Sequence, residues 1–436
     1  MIKSLRHRHS PLTIFYGWWI MVAAFFTLGL AVGLPYFGMP FFYDYFTKPV
    51  AEGGFGWSRA TVTLGLPLGT LVTLWVGPLL AHRFAPRRLI LVGTGLTALT
   101  LIGFGRMTGN VAVYWGLWLV YMVGNVFSGV LTHQLLLAHW FVKYRGTALS
   151  VAYLGISLIG AFSARAVAQP LTAAYGFQHA LQVMGLLLLL TWPVILWIMR
   201  DQPTDLGLAP DGARQSPAMP TEGQAAVQQS DLHEARAAPF RQILRQRVFW
   251  LLLLGGACSA GAIGSISQHL KLILKDSGFT DQTLLDDIFS RTLLLLLITS
   301  AVGRLLIGQL ADRFPKRWVV TAVFLPLLLA FPLLYGVTPQ RMPYLFALCF
   351  GLATGGDFLL AALMAGEQFN VATLGRVLAI MLPVMTVGQT WLPYLVAVLR
   401  EQTGSYTLPL ELALGLAVLG WGFLISLPKA KTIQIS

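Results

Sequence analysis

The sequence predicts an all-α membrane protein: twelve transmembrane helices folded as two pseudo-symmetric six-helix bundles. Three observations lead there. Apolar runs of about 20 residues, enough to cross ~30 Å of hydrocarbon, recur along all 436 residues. Charged residues make up 11 % of the chain and hydrophobic ones 56 %, where soluble domains carry roughly a quarter charged. Finally, LAHRFAPRRL (80–89) realigns without a gap on LADRFPKRWV (310–319), each after the second apolar run of its half. Lipid offers no partner for free backbone groups, so the runs are helices rather than open sheet. A parallel repeat of six-helix halves belongs to transporters that bind their cargo near mid-membrane, between the halves.

The formal charge of +13 does not imply a nucleic-acid partner. Its basic residues are spread over alternate loops, as the positive-inside rule requires of cytoplasmic segments. The expected location is therefore the cell membrane (the inner membrane of a bacterium), with multiple passes and both termini cytoplasmic. Cys258 and Cys349 lie inside apolar runs, so neither a disulfide framework nor a metal cluster is implied. No cofactor is implied either. The first apolar run is too long for a signal-peptide core and reads as an uncleaved span.

The spans fall at about 15–46, 58–81, 88–108, 111–138, 146–170, 178–199, 247–269, 286–311, 318–337, 341–364, 375–400 and 407–427. The first is overlong and carries Gly29, Gly33, Pro35, Gly38 and Pro40, which predicts a bend in its outer half. Gly65-x-x-x-Gly69 and Gly351-x-x-x-Gly355 predict close helix contacts. Between the sixth and seventh spans the chain turns polar and rich in Pro, Gln and Ala, which reads as a linker. The expected division is an N-terminal bundle at 1–199, a cytoplasmic linker at 200–246 and a C-terminal bundle at 247–436. Residues 242–247 at the linker's end predict a short amphipathic helix at the membrane surface.

On these residues the chain resembles the major facilitator superfamily over nearly its whole length. Gly308-x-Leu310-x-Asp312-Arg313, followed by Lys316-Arg317, is similar to that superfamily's loop motif between the second and third helices of a half. Its physical logic is that carboxylates are favoured at helix N-termini and arginines at C-termini. Such contacts form a conformational latch, here Asp312, Arg313 and Arg317, with His82 and Arg83 in the first half. His82 stands where the aspartate is usual, so a weaker or pH-sensitive first latch is expected. WFVKYRGTA (140–148) with Gly155 and Gly160, FYGWW (15–19), GWSR (56–59) and PTDLGLAPDG (203–212) are similar to stretches of the monocarboxylate transporters and their bacterial relatives, including the oxalate/formate antiporters. The resemblance implies that an arginine of the eighth helix meets the substrate carboxylate; the matching position is Arg304. Ser300 replaces the aspartate found one turn earlier in some members, and no lysine lies near Pro35 or in the eleventh span.

Read by themselves, the same residues leave alternatives. Arg304 sits about 12 Å inside the end of its helix, where an uncompensated charge costs at least ~2.5–3.5 kcal/mol. It is either paired within the protein or waits for an anion that its planar fork grips bidentately. Asp357, at a similar depth in the tenth span, is a proton-coupling candidate or a fixed partner for Arg304. Arg165 is a second anion contact or a side chain snorkelling to the outer boundary. His133 is a proton relay or a packed, hydrogen-bonded histidine. Tyr36, Asn125 and Gln389 are candidate cavity donors. The sequence holds no nucleophile–base pair, Walker loop or metal-ligand cluster and does not read as an enzyme. The function expected is secondary active transport of a small organic monocarboxylate with a proton, by alternating access. The alternatives are an anion exchanger using Arg304 and Arg165, handling dicarboxylates or monocarboxylates, and a non-transporting receptor of the same fold.

Overall fold

The computed structural model describes residues 15–80, 84–141, 144–212, 240–279, 281–335, 342–369 and 371–428. They form twelve long helices, α1 to α12, in the order expected. α1 runs over Gly17–Thr47, α2 over Arg59–Leu80 and α3 over Pro86–Phe104. α4 covers Val111–Trp140, and α5 and α6 cover 145–175 and 177–197. In the second bundle α7 is Arg247–Asp276, α8 Gln282–Arg313, α9 Lys316–Ala330 and α10 Met342–Gln368. α11 is Val371–Thr403 and α12 Thr407–Ile425. Nine described stretches are long and apolar enough to cross a membrane, one of them (Thr147–Trp197) holding both α5 and α6.

Glycine and proline set where these helices deform. α1 changes pitch to a π-helical turn at Gly29–Gly33, then to a 3₁₀ turn at Met39–Phe42. That is the bend that its Gly and Pro content predicts, because each proline deletes a backbone donor. α5 carries a second π-helical turn at Ser163–Ala168. Gly176 separates α5 from α6 with φ +80°, a left-handed conformation that only glycine adopts at little cost. Near the linker's end the short helix is Phe240–Leu244, starting two residues earlier than the sequence pattern predicts. Residues 213–239 of the linker lie outside the described residues.

Packing follows the repeat. In the N-terminal bundle α1 packs on α5 and α2 on α4; in the C-terminal bundle α7 packs on α11 and α8 on α10. Small residues bring those pairs close. A Cβ on Gly33 would sit 2.4 Å from the Ile156 carbonyl, and one on Gly155 2.1 Å from the Phe25 carbonyl. The two GxxxG patterns do the same work, Gly65 and Gly69 against Trp118 and Met122, Gly351 and Gly355 against Thr299 and Ser300. Between bundles, α2 meets α11 and α5 meets α8. Those two seams frame the gap that positions the site.

Candidate functional site

The gap has two ends. One, here the terminal end, is where the chain enters α1 and leaves α12. At the opposite, far end the bundles are tied by charge. Lys271 of α7 is wholly buried there. Its ammonium lies 2.8 Å from Asp44 Oδ1 of α1 and 2.7 Å from Asp286 Oδ1 of α8. It also donates to the Phe41 carbonyl at 2.5 Å and sits 3.7 Å from the centre of the Phe41 ring. Gln282 donates to both carboxylates, at 2.8 and 2.9 Å, and the Tyr45 hydroxyl donates to Asp286. Burying a charge is tolerable only when it is paired and hydrogen-bonded, and here the ammonium has two carboxylates at ion-pair distance and one carbonyl acceptor.

Two further clamps flank that triad. Arg59 of α2 grips Asp276 of α7 through two nitrogens, at 2.9 and 2.6 Å, and Arg400 of α11 takes the same carboxylate at 2.8 Å. Beside them the Ala60 N–H, in the first turn of α2, donates to the Glu401 carboxylate at 2.7 Å, an arrangement the helix dipole favours. Arg165, in the π-helical turn of α5, pairs with Asp287 of α8. Asp287 in turn pairs with Arg291 at 2.9 Å. A carboxylate of the other bundle thus lies opposite Arg165.

Below the clamps the contacts turn neutral. Tyr43 donates to Gln268 at 3.1 Å, and Gln389 donates to the Tyr36 hydroxyl at 3.1 Å. Tyr36 and Gln389, expected as cavity donors, are thus brought together across the gap. Asn125 is half-buried on α4; among the described residues no hydrogen bond links its side chain to either of them. A small cavity beneath the triad is lined by Tyr36, Phe37, Gln268, Phe289, Leu293 and Leu296.

Arg304 lies deeper along α8, half-buried. It follows Asp286 by about five full helical turns, so both project from the same face of α8, roughly 27 Å apart. That face is the one from which Asp286 reaches α7 and α1, with Leu293 between them. The strongly exposed residues Val302, Leu305 and Leu306 occupy a different side. Asp357 of α10 is buried, and its Oδ1 accepts from the Ser259 hydroxyl of α7 at 2.6 Å. Among the described ion pairs none links Arg304 to Asp357; the carboxylate accepts from a serine.

His133 is fully buried. Its Nδ1 bonds the Gly129 carbonyl at 3.0 Å and its Nε2 the Thr27 hydroxyl of α1 at 2.8 Å. The first bond lies within α4, and the second ties α4 to α1. Of the latch residues, Arg313 and Arg317 are exposed at the terminal end. His82, Arg83 and the side chain of Asp312 lie outside the described residues. Arg87, the counterpart of Arg317 in the repeated loop, donates to the Ile195 and Leu196 carbonyls at the end of α6, at 3.1 and 2.5 Å. Its own N–H meets Asp201 at 2.8 Å.

The triad is what sequence reasoning missed. Lys271 falls two residues beyond the seventh span as read from hydropathy, and looked like a loop residue outside the membrane. The available signal was length: α7 continues to Asp276, which places the lysine inside the helix and on its buried side.

The sequence profile of the Major Facilitator Superfamily matches residues 132–393, from α4 to α11 and across both bundles. The chain belongs to that superfamily. Its fold is shared by solved transporters of low sequence identity. A bacterial homologue of the human lysosomal transporter Spinster, in an inward-facing and unoccupied conformation, superposes with a TM-score of 0.68 at 12 % identity, covering 95 % of this chain and 97 % of the other. The nucleoside transporter NupG, as a mutant, gives 0.66 at 12 % identity over 94 % and 98 %. A peptide transporter, POT, in complex with alafosfalin, gives 0.65 at 17 % over 92 % and 93 %. No curated protein matches the sequence significantly. This member of the superfamily is thus a multi-pass membrane transporter of a small molecule rather than an enzyme.

Proposed function

We propose that this transporter carries a small organic monocarboxylate together with a proton, with Arg304 as the carboxylate's contact. The observation that supports it is Arg304's place on the face of α8 from which Asp286 meets Tyr45 of the other bundle. An arginine there is poised between the bundles, and its planar guanidinium matches a carboxylate with two parallel N–H···O bonds. One carboxylate neutralises one guanidinium, and a proton carried with it leaves the cycle electroneutral. Asp357 is the group proposed to carry that proton: its carboxyl is buried, on a helix packed against α8, and bonded to a hydroxyl rather than to a fixed cation. In this reading residues 1–199 and 247–436 rock as units about the 200–246 linker. The termini face the cytoplasm of a bacterial inner membrane.

The deciding experiment is uptake of a panel of radiolabelled small monocarboxylates into proteoliposomes under an inward proton gradient. Arg304→Ala is expected to abolish uptake while the protein is still produced and folded; retained uptake overturns the assignment.

A further inference from the structure

Lys271 does more than close the far end. We infer that it is an anion-binding group for cargo arriving from that side, and that Asp44 is a built-in competitor displacing the cargo as the bundles close. This rests on the anion-carrier reading above, although it uses different residues.

The inference comes from what surrounds the ammonium: it donates to the Phe41 carbonyl and stands at ion-pair distance from Asp44 and Asp286. Two of those acceptors, Phe41 and Asp44, belong to α1 and the N-terminal bundle. Only Asp286 belongs to the C-terminal bundle that carries Lys271. Parting of the bundles at this end therefore removes two acceptors in one movement and leaves the third. Gln282 loses its Asp44 partner in the same step and keeps Asp286.

What remains is an ammonium without its Phe41 acceptor and its Asp44 counter-charge, together with an amide N–H of Gln282, all on the C-terminal bundle and facing the parted gap. The space vacated is that of one carboxylate, because Asp44 filled it. The surrounding charge favours the same ligand. Lys275 lies one turn further out on α7, half-exposed. The nearby Asp287 is already shared by Arg165 and Arg291, and Asp276 by Arg59 and Arg400. A carboxylate makes charge-assisted hydrogen bonds here that water does not equal. When the bundles close, Asp44 returns with the same chemical group at high local concentration. The cargo then leaves inward, along the gap between the bundles.

The test uses full-length protein in lipid nanodiscs, with Cys258 and Cys349 replaced by serine and spin labels at Val50→Cys and Leu284→Cys. Both positions are exposed at the far end, on opposite bundles. Asp44→Asn removes the competitor with little change of shape. In that background, acetate and lactate, but not sodium chloride at equal ionic strength, are expected to raise the population with the longer distance. The response is expected to persist with Arg304→Ala added, to vanish with Lys271→Gln and to return in part with Lys271→Arg. A response unaffected by Lys271→Gln, or no response in Asp44→Asn, overturns the inference. A carboxylate response that needs Lys271, alongside uptake that survives Arg304→Ala, would keep this site and remove the Arg304 assignment. The reverse pattern would do the opposite.

Discussion

The far end and the terminal end of this molecule are built from the same repeat and held in different ways. At the far end, ion pairs join the bundles through Asp44–Lys271–Asp286, Arg59–Asp276 and Arg165–Asp287. At the terminal end the described side-chain hydrogen bonds stay within one bundle, as when Arg87 holds α6 or Gln368 donates to the Pro428 carbonyl at 3.0 Å. Charge therefore joins the bundles at the far end. A carrier that alternates must be able to break what closes it. Charged contacts suit that need, since opening lets water replace the lost partner, whereas an exposed apolar seam finds no such substitute.

That contrast predicts an order of effects. The largest belongs to Lys271→Ala, which leaves two carboxylates facing each other without their cation. Removing one partner of a buried charge pair costs about 3–5 kcal/mol. The expected result is a marked fall in thermal unfolding temperature and a far end that no longer stays closed, read by distances between labels at Val50 and Leu284. Wild-type stability in that variant would show that the triad is not what holds the bundles together. Asp276→Ala comes next. It frees Arg59 and Arg400, which keep part of their contact with water, so a loss on the order of 1–3 kcal/mol is expected, as for hydrogen bonds to charged groups. The same distance measurement should move in the same direction by less.

The terminal end gives the small effects and sharpens the comparison within the repeat. Arg87→Ala removes a side chain bonded to two carbonyls at the end of α6, and a loss of about 1 kcal/mol is expected. Arg317→Ala, at the matching place in an exposed side chain, should stay within about 0.5 kcal/mol. Thermal unfolding of the pair checks this; equal losses would mean that the two loops serve their bundles alike.

Much of the fold was legible. Hydropathy located the helices, and the Gly and Pro of α1 announced its change of pitch. The GxxxG pairs foretold the close α2–α4 and α8–α10 contacts. All these are local: a residue's cost in lipid, or its backbone freedom, depends on its own chemistry. Parts of the candidate site were harder to read. Arg165 reads as an anion contact or a boundary residue and Lys271 falls beyond its span, because hydropathy scores a charge by its cost and is blind to a partner lying in the other bundle. Asp357 reads as a proton-coupling group or a partner of Arg304, because equal depth is all that sequence can compare; which faces they occupy is a matter of helix rotation. That His133 meets Thr27 of another helix is likewise not written along the chain.

The sequence alone determined that this chain lives in a membrane, that it has two matched sets of helices, and that a few charges sit among apolar residues. Those follow from solvation and from repetition along the chain. Only the tertiary structure decided which charge answers which. Asp44, Lys271 and Asp286 are scattered along the chain and meet only once three helices from two bundles converge. The energy of a buried ion depends on what stands within a few ångströms of it, and no pattern along a single strand of residues carries that distance.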